Sequence, residues 1–240
     1  MSGANGWIQY WNRDDFWGRL KLWELNARVF MRRAKGVLEF KKEDSVLDIG
    51  SGPGALAFTL SEKVQSVLAV DTSPQFVALT RDRCRNAPNV EATLPGSDYT
   101  DLSVFGRRFS LLLCISVVQY YNDIDEVEAL IRSAKKVALP GGRMLIADLN
   151  LKRNRIGFLS DAACSVWKSI QEGYALNLLR IAWNRWVMPS AYRNADASNQ
   201  LLEFDYADIE ALIARMGLKA EIIRHSFSIY ANRPSLLIHF

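Results

Sequence analysis

The residues best suited to chemistry stand together at positions 46–54, where a short apolar run is followed by three alternating glycines. An acid, Asp48, lies inside the apolar run, and Gly50, Gly52 and Gly54 follow it. Such a run is typical of a buried parallel strand, and the glycines allow a sharp turn and close approach of a ligand to the backbone. A helix directly after the turn would direct its positive N-terminal end at that ligand. The stretch therefore predicts a site for a nucleotide-bearing ligand.

The identity of that ligand depends on Asp48. The glycine turn and Ala55 satisfy the permissive dinucleotide pattern G-x-G-x-x-G/A, and Asp71 stands about where that pattern has its ribose-binding acid. An NAD(P)-dependent oxidoreductase is therefore one alternative. Asp48 counts against it, because a carboxylate beside the turn would repel a pyrophosphate and attract an ammonium or sulfonium group. The additional glycine and the expected hairpin at the end of the sheet also count against a dinucleotide.

The size and composition of the chain fit one large domain with a substantial core. The chain has 240 residues, of which 49% are apolar, and a formal net charge of +4 with a pI near 9.0. It has no Lys/Arg-rich block of the kind that marks a nucleic-acid arm, so no nucleic-acid partner is expected. Its three cysteines are isolated, which predicts reduced thiols in a cytoplasmic protein and no metal site. We find no signal-peptide pattern and no apolar run of membrane-spanning length.

Strands and helices alternate along the middle of the chain. The pattern predicts strands at 45–49, 67–70, 90–93, 109–116 and 143–148, with helices at 55–64, 74–86 and 123–137 between them. It predicts an α/β fold in which helices cover both faces of a parallel sheet, a three-layer sandwich. A helix at 206–216, ended by Gly217, precedes strand-like stretches at 218–225, 227–230 and 235–240. Strands so close together imply a hairpin, hence a seven-stranded, mostly parallel sheet with an antiparallel C-terminal hairpin.

These elements divide the chain into an N-terminal helical cover (1–44), a Rossmann-like cofactor-binding core (45–150), a helical insertion that forms a substrate-binding lid (151–200) and the C-terminal part of the core sheet (201–240). In the cover, Tyr10 and Trp11 are candidates for a lid over a cationic ligand, because aromatic faces attract positive charge. Simple packing of the cover on the sheet is the alternative. The insertion is rich in Trp and Arg, which could form a small hydrophobic core, a pocket for a partly anionic molecule, or a weak contact with a membrane surface.

The glycine stretch and five later segments resemble, in order, the motifs of the class I (Rossmann-like) S-adenosylmethionine-dependent methyltransferases. Residues 46–54, Val-Leu-Asp-Ile-Gly-Ser-Gly-Pro-Gly, are similar to the family's first motif. The later segments are 68–71 at the second strand, 97–99 at the glycine–aspartate step, 109–114 at the fourth strand, 117–123 at the turn after it, and 139–146 at the proline–glycine–glycine turn and fifth strand. The chain departs from the family at Ser110, where relatives usually have an acid. A mixed sheet with a terminal hairpin is also this family's fold.

The resemblance implies that the cofactor is S-adenosyl-L-methionine, with S-adenosyl-L-homocysteine as the product. Asp71 would hold the cofactor ribose, and Asp98 with its neighbours would contact the adenine. Arg28 is similar to an arginine that binds the cofactor carboxylate in some relatives, and a solvated Arg28 is the alternative. The candidate cofactor-binding residues are Tyr10, Trp11, Arg28, Asp48, Gly50, Ser51, Gly52, Gly54, Asp71, Thr72, Ser73, Ser97, Asp98, Tyr99, Ser116 and Gln119.

The implied reaction is an in-line displacement, in which an O or N atom of the acceptor attacks the methyl carbon and a neutral thioether leaves. The protein must then align the reactants and exclude water, while a general base is optional. The candidate catalytic residues are Asp148 at the end of the fifth strand, Tyr120 after the fourth, and His225 near the end of a late strand, although such a histidine is often structural. The expected acceptor is a small molecule such as a sugar or a natural-product intermediate.

A methyltransferase that acts on protein or RNA, and a non-catalytic subunit that retains the fold, are further alternatives. No Asn-Pro-Pro-Tyr-type turn follows the fourth strand, where methylases of base amino groups carry one. An intact glycine motif with its acids counts against a non-catalytic subunit. The sequence does not indicate the oligomeric state.

Overall fold

The described part of the chain is built on one mixed β-sheet. The computed structural model describes residues 20–152, 155–171, 173–176, 201–230 and 232–240. The strands are β1 (Ser45–Ile49), β2 (Ser66–Val70), β3 (Val90–Thr93), β4 (Phe109–Ile115), β5 (Ala138–Ala147), β6 (Lys219–Ile223) and β7 (Ser235–His239). The described helices are α1 (Leu20–Ala34), α2 (Ala55–Ser61), α3 (Pro74–Arg83), α4 (Ile124–Val137), α5 (Arg155–Gln171) and α6 (Tyr206–Met216), and short 3₁₀ turns follow β3 (Leu102–Phe105) and β4 (Val118–Tyr120).

The order of the strands places a crevice between β1 and β4. The sheet runs β3-β2-β1-β4-β5-β7-β6, with β1 to β5 parallel and β7 antiparallel to both of its neighbours. The predicted α/β fold, with a mostly parallel seven-stranded sheet and an antiparallel C-terminal hairpin, is therefore confirmed. The chain winds outward from β1 to β3 and then crosses to β4 on the other side of β1. The carboxyl ends of β1 and β4 are thus the switch point at which open α/β sheets bind ligands.

Helices cover both faces of the sheet because successive strand residues point in opposite directions. Leu47 and Leu112 belong to one buried cluster, which includes residues of α4 and α6. Val46 and Leu113 belong to a second cluster, which includes residues of α1, α2 and α3. The core therefore has two halves separated by the sheet, as predicted for a three-layer sandwich.

Helix boundaries follow the capping chemistry of the sequence. Ser73 caps α3 by accepting a hydrogen bond at its hydroxyl oxygen from Phe76 N (3.4 Å), and Pro74 fills the first helical position. Gly217 ends α6 with a φ of 60°, a conformation that glycine adopts without the steric penalty of a side chain. Both of these predicted helix ends are confirmed.

The prediction of a strand at 227–230 is wrong. This segment has no strand, and Phe227 and Ile229 are buried in the two clusters that include α1. The Ser226 hydroxyl accepts a hydrogen bond from Ser228 N (3.1 Å), and the Ser228 hydroxyl accepts one from Tyr230 N (3.2 Å). Serine side chains thus bind the backbone that a neighbouring strand would otherwise bind. The alternating apolar pattern here reflects burial against a helix.

The fifth strand begins five residues before the expected position. β5 begins at Ala138, and its register with β4 shifts between the Phe109–Ala138 and Leu111–Arg143 pairs. The proline–glycine–glycine turn therefore lies inside an irregular part of the strand, as expected for a β-bulge. The sequence pattern predicted a turn here, with the strand beginning only at residue 143.

The cover and the insertion are described only in part. Residues 1–19, 153–154, 172 and 177–200 lie outside the described residues, and the predictions for Tyr10 and Trp11 concern that part. α5 (Arg155–Gln171) lies within the segment predicted as a helical insertion. The division into four segments stays a prediction. None of the described helices combines the length and the hydrophobicity needed to cross a membrane.

Truncation of Leu113 at the centre of the sheet should strongly destabilise the protein. Leu113 is fully buried between β1 and β5, so Leu113→Ala removes apolar contacts and leaves a cavity. We expect the free energy of unfolding to fall by about 2–5 kcal/mol in urea denaturation. Val104→Ala, at a side chain that is 54% exposed, should change it by less than about 0.5 kcal/mol. Equal effects of the two substitutions would contradict the proposed position of the core.

Candidate active site

A cavity of about 350 Å³ lies at the carboxyl ends of β1, β2 and β4. Its wall comes from α1, from the glycine loop (residues 50–54) after β1, from the β2–α3 turn and from the turn after β4. Residues just before α6 and β7 complete it. Of the residues predicted from the sequence, those that line the cavity are Gly50, Gly52, Asp71, Thr72, Tyr99, Ser116, Gln119 and Tyr120. The fold thus brings four of the resembling segments together.

The three glycines of the loop have different surroundings, although all have a positive φ. A Cβ at Gly50 would lie 2.3 Å from a methyl group of Val117, and a Cβ at Gly54 would lie 2.6 Å from Thr80. These two glycines therefore allow close packing of the protein on itself. A Cβ at Gly52 would instead lie 3.0 Å from the indole nitrogen of Trp23, and both residues line the cavity. A side chain at Gly52 would therefore extend into the ligand space beside Trp23.

The backbone N–H groups of the glycine loop already have partners within the protein. Gly50 N and Ser51 N donate to Val70 O at 2.7 and 3.0 Å, and Gly54 N donates to Ser51 O at 3.3 Å. Gly52 N donates to a carboxylate oxygen of Asp71 at 2.8 Å, and position 53 is a proline. A pyrophosphate would need such N–H groups as donors. The loop in this arrangement therefore does not offer the binding groups of a dinucleotide site.

Asp71 joins the glycine loop to the start of α3. Its second carboxylate oxygen accepts a hydrogen bond from Ser73 N at 2.9 Å. Burial raises the pKa of Asp71 to about 6, although the backbone N–H groups of Ser73, Gly52 and Thr72 oppose that change. Each carboxylate oxygen has a further lone pair, so Asp71 can still accept hydrogen bonds from a ligand. Ser73 itself is fully buried and does not line the cavity, whereas its neighbour Thr72 does.

Asp48 is a buried acid, and one of its carboxylate oxygens makes no hydrogen bond within the described residues. It is 3% exposed, and the oxygen without a partner is Oδ2. Burial, and secondly the charge of Asp71, raise the pKa of Asp48 to about 7. A buried acid beside a second carboxylate is costly to ionise, and a nearby positive charge lowers that cost. The pair therefore fits a cationic ligand, although Asp48 does not itself line the cavity.

The turn after β4 is held from behind by Asp148. The Ser116 hydroxyl, on a residue with a φ of 59°, donates to Asp148 Oδ2 at 2.8 Å, and the Ser226 hydroxyl donates to Oδ1 at 3.2 Å. Burial raises the pKa of Asp148, while these hydroxyls and the charge of Arg233 act in the opposite direction. Asp148 is 1% exposed and lies outside the cavity wall. Its contacts fit a role in holding Ser116.

Gln119 connects this turn to the last part of the chain. Its amide nitrogen donates to Ser116 O at 3.1 Å, and its amide oxygen accepts a hydrogen bond from the Arg233 guanidinium at 2.8 Å. Both Gln119 and Arg233 line the cavity. The Arg233 guanidinium also lies 4.8 Å from the centre of the Tyr230 ring. These contacts give the cavity a wall that mixes amide, guanidinium and aromatic groups.

The segment at 97–99 reaches the cavity only through its tyrosine. The Tyr99 hydroxyl donates to Glu126 at 2.6 Å, and its ring centre lies 5.2 Å from that of Tyr121. Ser97 and Asp98 are exposed and do not line the cavity. Asp98 accepts hydrogen bonds from Thr100 N at 2.8 Å and from the Thr100 hydroxyl at 2.7 Å, which is the local contact expected of an aspartate in a turn.

Several predicted residues lie away from the cavity wall. Arg28 is exposed on α1, and Ser51 and Gly54 belong to the loop without facing the ligand space. His225 is exposed and packs edge-on against Phe227, with ring centres 4.9 Å apart. Partial burial, with the nearby charges of Arg33 and Lys168, holds the pKa of His225 below its usual range. The functional roles predicted for these residues stay predictions.

Sequence reasoning missed part of the cavity wall. The residues concerned are Leu22, Trp23, Asn26, Phe76, Pro95, Val117, Tyr121, Leu201, Tyr230 and Arg233. One signal was available for Arg233. The last strand of an antiparallel hairpin begins at the edge where the parallel strands end, so the residues before β7 must border the crevice. For Trp23 and Asn26 no comparable signal existed, because the position of α1 depends on tertiary packing.

Comparison with known proteins gives a consistent result. Residues 46–142 match the family model described as a methyltransferase domain. The demethylmenaquinone methyltransferase of Tropheryma whipplei (strain Twist) is 25% identical over 122 residues, which are 51% of this chain and 48% of that protein. The chain thus spans about half the length of this relative.

Solved structures share the fold over nearly the whole chain. DhpI in complex with SAH has a TM-score of 0.62 and 13% identity, covering 98% of this chain and 95% of that one. The N-methyltransferase NodS of Bradyrhizobium japonicum WM9, in complex with S-adenosyl-L-homocysteine, has a TM-score of 0.54 and 15% identity, covering 100% and 98%. At these identities the comparison establishes the fold.

Replacing Asp48 should flatten the pH dependence of stability. Because the pKa of Asp48 is about 7 in the folded protein and near 4 in an unfolded chain, the folded state binds a proton that the unfolded state releases. This contribution stabilises the fold below about pH 4 and is lost as the pH rises through 7. The wild type should therefore lose a few kcal/mol of unfolding free energy between pH 5 and 8. Asp48→Asn should lose at least about 1 kcal/mol less in urea denaturation.

The matched control is Asp82→Asn, on the exposed side of α3. It should keep the wild-type loss between the two pH values. Part of the slope should survive in Asp48→Asn, because Asp71 has a pKa of about 6. An unchanged slope in Asp48→Asn would show that this carboxylate does not hold the extra proton.

Proposed function

We propose that the chain is a class I S-adenosylmethionine-dependent methyltransferase that transfers a methyl group to an O or N atom of a small molecule. The observation that carries this proposal is the cavity at the switch point of the sheet. Gly52, Asp71 and Thr72 border it near β1 and β2, while aromatic and amide groups border it beyond β4. One wall can bind a nucleoside, and the other can bind an acceptor.

The residues of the first wall fit S-adenosylmethionine. The buried carboxylate of Asp48, one oxygen of which has no partner among the described residues, and the coupled charge of Asp71 favour a ligand with an ammonium or sulfonium group. The protein-bound N–H groups of the loop disfavour a pyrophosphate. We propose that Asp71 binds the ribose of the cofactor. The adenine ring would then lie on the side of the cavity that Tyr99 lines. The cofactor supplies a methyl group that its sulfonium has already activated for transfer.

The protein's own residues act mainly by position. Trp23 and Asn26 of α1 cover the cavity beside Gly52 and exclude water from it. Asp148 holds Ser116, and Ser116 with Gln119 keeps the turn after β4 in place. We assign Asp148 to positioning, because it lies outside the cavity wall and its carboxylate accepts hydrogen bonds from the hydroxyls of Ser116 and Ser226. Of the predicted catalytic residues, Tyr120 is the one in the wall, and we place it beside the acceptor.

A small-molecule acceptor is supported by the size and lining of the cavity. A volume of about 350 Å³ is within the range of roughly 300–1,000 Å³ usual for small-molecule sites. The wall beyond β4 contains tyrosines and one arginine, which suit a compact planar molecule. The relative from Tropheryma whipplei is named for a small acceptor, demethylmenaquinone. A methyltransferase for protein or RNA would need a wider surface around the reacting atom.

Calorimetric titration with S-adenosyl-L-homocysteine tests the cofactor assignment. We expect the wild type to bind it with a micromolar dissociation constant. Gly52→Arg should abolish binding, because a side chain at this position enters the cavity. Asp71→Ala should weaken binding by about 10- to 100-fold, through the loss of charge-assisted hydrogen bonds.

The control is Gly106→Ala. Gly106 also has a positive φ of 61°, but a Cβ there would have no neighbour within 4 Å, and the residue is not part of the cavity wall. This variant should show the backbone strain of an alanine at a positive φ without any change in affinity. Binding of NADH in place of S-adenosyl-L-homocysteine would overturn the proposal in favour of an oxidoreductase.

A further inference from the structure

We infer that Arg233 selects the methyl acceptor, and that the acceptor carries an anionic group, a carboxylate or a phosphate, which the Arg233 guanidinium binds. The inference rests on the proposed function, since it takes the cavity as the place where the acceptor meets the cofactor. It adds a chemical class of substrate and a residue that recognises it.

The charges of the cavity wall lead to this assignment. Among the described residues that line it, Arg233 is the one lysine or arginine and Asp71 the one acid. The Asp71 carboxylate already accepts hydrogen bonds from Gly52 N and Ser73 N. No described carboxylate lies within ion-pair distance of Arg233. The positive charge therefore faces the ligand space without a direct counterion from the described protein.

Asp148 compensates this charge only at a distance. Arg233 lowers the pKa of Asp148 by its charge, but the carboxylate oxygens are hydrogen-bonded by the hydroxyls of Ser116 and Ser226. Asp148 also lies outside the cavity wall, whereas Arg233 lies in it. An anion in the cavity would neutralise the Arg233 guanidinium from the side that faces the ligand space, where Asp148 does not lie.

The hydrogen bonds of Arg233 are also incomplete. A guanidinium has five N–H donors, and the protein accepts one of them directly, at the Gln119 amide oxygen. The Nε atom is buried and has no hydrogen-bond partner among the described residues, so it does not face the cavity. The Nη2 atom is not buried and makes no hydrogen bond within the described protein, so its N–H groups can donate to an anionic ligand. The bond to Gln119 and the contact with the Tyr230 ring hold the planar group in place, as required for two-point recognition of a carboxylate or phosphate.

The position of Arg233 separates this anion from the cofactor. Arg233 precedes β7, which is three strands from β1 in the sheet, or roughly 14 Å at about 4.8 Å per strand. Its side chain reaches back to the turn after β4. The glycine loop and Asp71 belong to the other flank of the cavity, at β1 and β2. The anion bound by Arg233 is thus better assigned to the acceptor than to the amino-acid end of the cofactor.

The neighbours of Arg233 define the body of the acceptor. Tyr230 packs against the Arg233 guanidinium, and Tyr120 and Leu201 line the same cavity. Aromatic side chains such as these two tyrosines pack well against an aromatic or other planar ligand. We therefore expect an aromatic or planar molecule with one acidic group. 4-Hydroxybenzoate and phenyl phosphate are suitable probes, and 4-hydroxybenzamide is the neutral analogue.

Binding of these probes to the protein saturated with S-adenosyl-L-homocysteine tests the inference by ligand-observed NMR. The wild type should bind at least one of the two anions about tenfold or more tightly than the amide, since a charge-assisted hydrogen-bond pair contributes that much or more. The tighter of the two anions then identifies the acidic group as carboxylate or phosphate. Arg233→Gln should bind the anion no better than the amide, with an affinity for S-adenosyl-L-homocysteine within about twofold of wild type.

Arg224→Gln is the matched control. The Arg224 guanidinium lies 4.6 Å from the centre of the Tyr206 ring, a contact like that of Arg233 with Tyr230, but it is exposed and outside the cavity. This variant should bind every probe as the wild type does. Loss of anion binding in Arg224→Gln as well would overturn the inference, because a general charge effect would then explain both.

Two other results would also overturn the inference. Equal binding of anions and amide by the wild type would show that Arg233 does not select charge. A tenfold weaker affinity of Arg233→Gln for S-adenosyl-L-homocysteine would assign the arginine to the cofactor carboxylate. Both leave the proposed function intact. Failure of the wild type to bind S-adenosyl-L-homocysteine at all would instead overturn the proposed function, and the inference with it.

Discussion

The Asp71 carboxylate holds together the part of the molecule on which the site depends. One of its oxygens accepts a hydrogen bond from Gly52 N and the other from Ser73 N, so a single side chain joins the glycine loop to the first turn of α3. The loop contains three residues with positive φ and bonds mainly to β2. Two further side-chain bonds join the same loop to α3, from the Thr80 hydroxyl to Gly52 O at 3.2 Å and from Arg83 Nε to Pro53 O at 3.0 Å. Asp71 differs from both in that its carboxylate also lines the cavity.

The same interaction determines which ligand the loop can accept. An N–H group that donates to Asp71 is not available to a phosphate, and the carboxylate adds a negative charge where a phosphate would lie. Asp48 favours a cation. Burial and the charge of Asp71 raise its pKa to about 7, and a positive group nearby would stabilise the ionised carboxylate. A glycine turn of nearly the same sequence could serve a dinucleotide in another protein. Here the acids, rather than the glycines, distinguish the two outcomes.

The cofactor half of the site could be predicted from sequence because its residues are close together in the chain. Strand β1, the glycine loop and Asp71 form a local pattern that folds in one way. The Ser226–Tyr230 segment could not be predicted, since its alternation is the same whether Phe227 faces a sheet or packs on α1. Trp23 could not be placed either, because the position of α1 depends on packing between distant segments. For the same reason Ser97 and Asp98 matched a motif without reaching the cavity.

The proposed acceptor half of the site is built from residues that are far apart in the chain. The sequence pattern therefore did not indicate the substrate. Gln119, Leu201 and Arg233 come from distant parts of the chain, and Arg233 reaches Gln119 because β7 is inserted beside β5. The hydrogen bond from Arg233 to Gln119 spans 114 positions in sequence and joins the last strand to the turn after β4. Changes at Arg233 can alter the charge of the proposed acceptor wall without touching the glycine loop, which we propose binds the cofactor. A fold of this kind can therefore keep its methyl donor while its acceptor changes, because the two walls share the turn after β4 and little else.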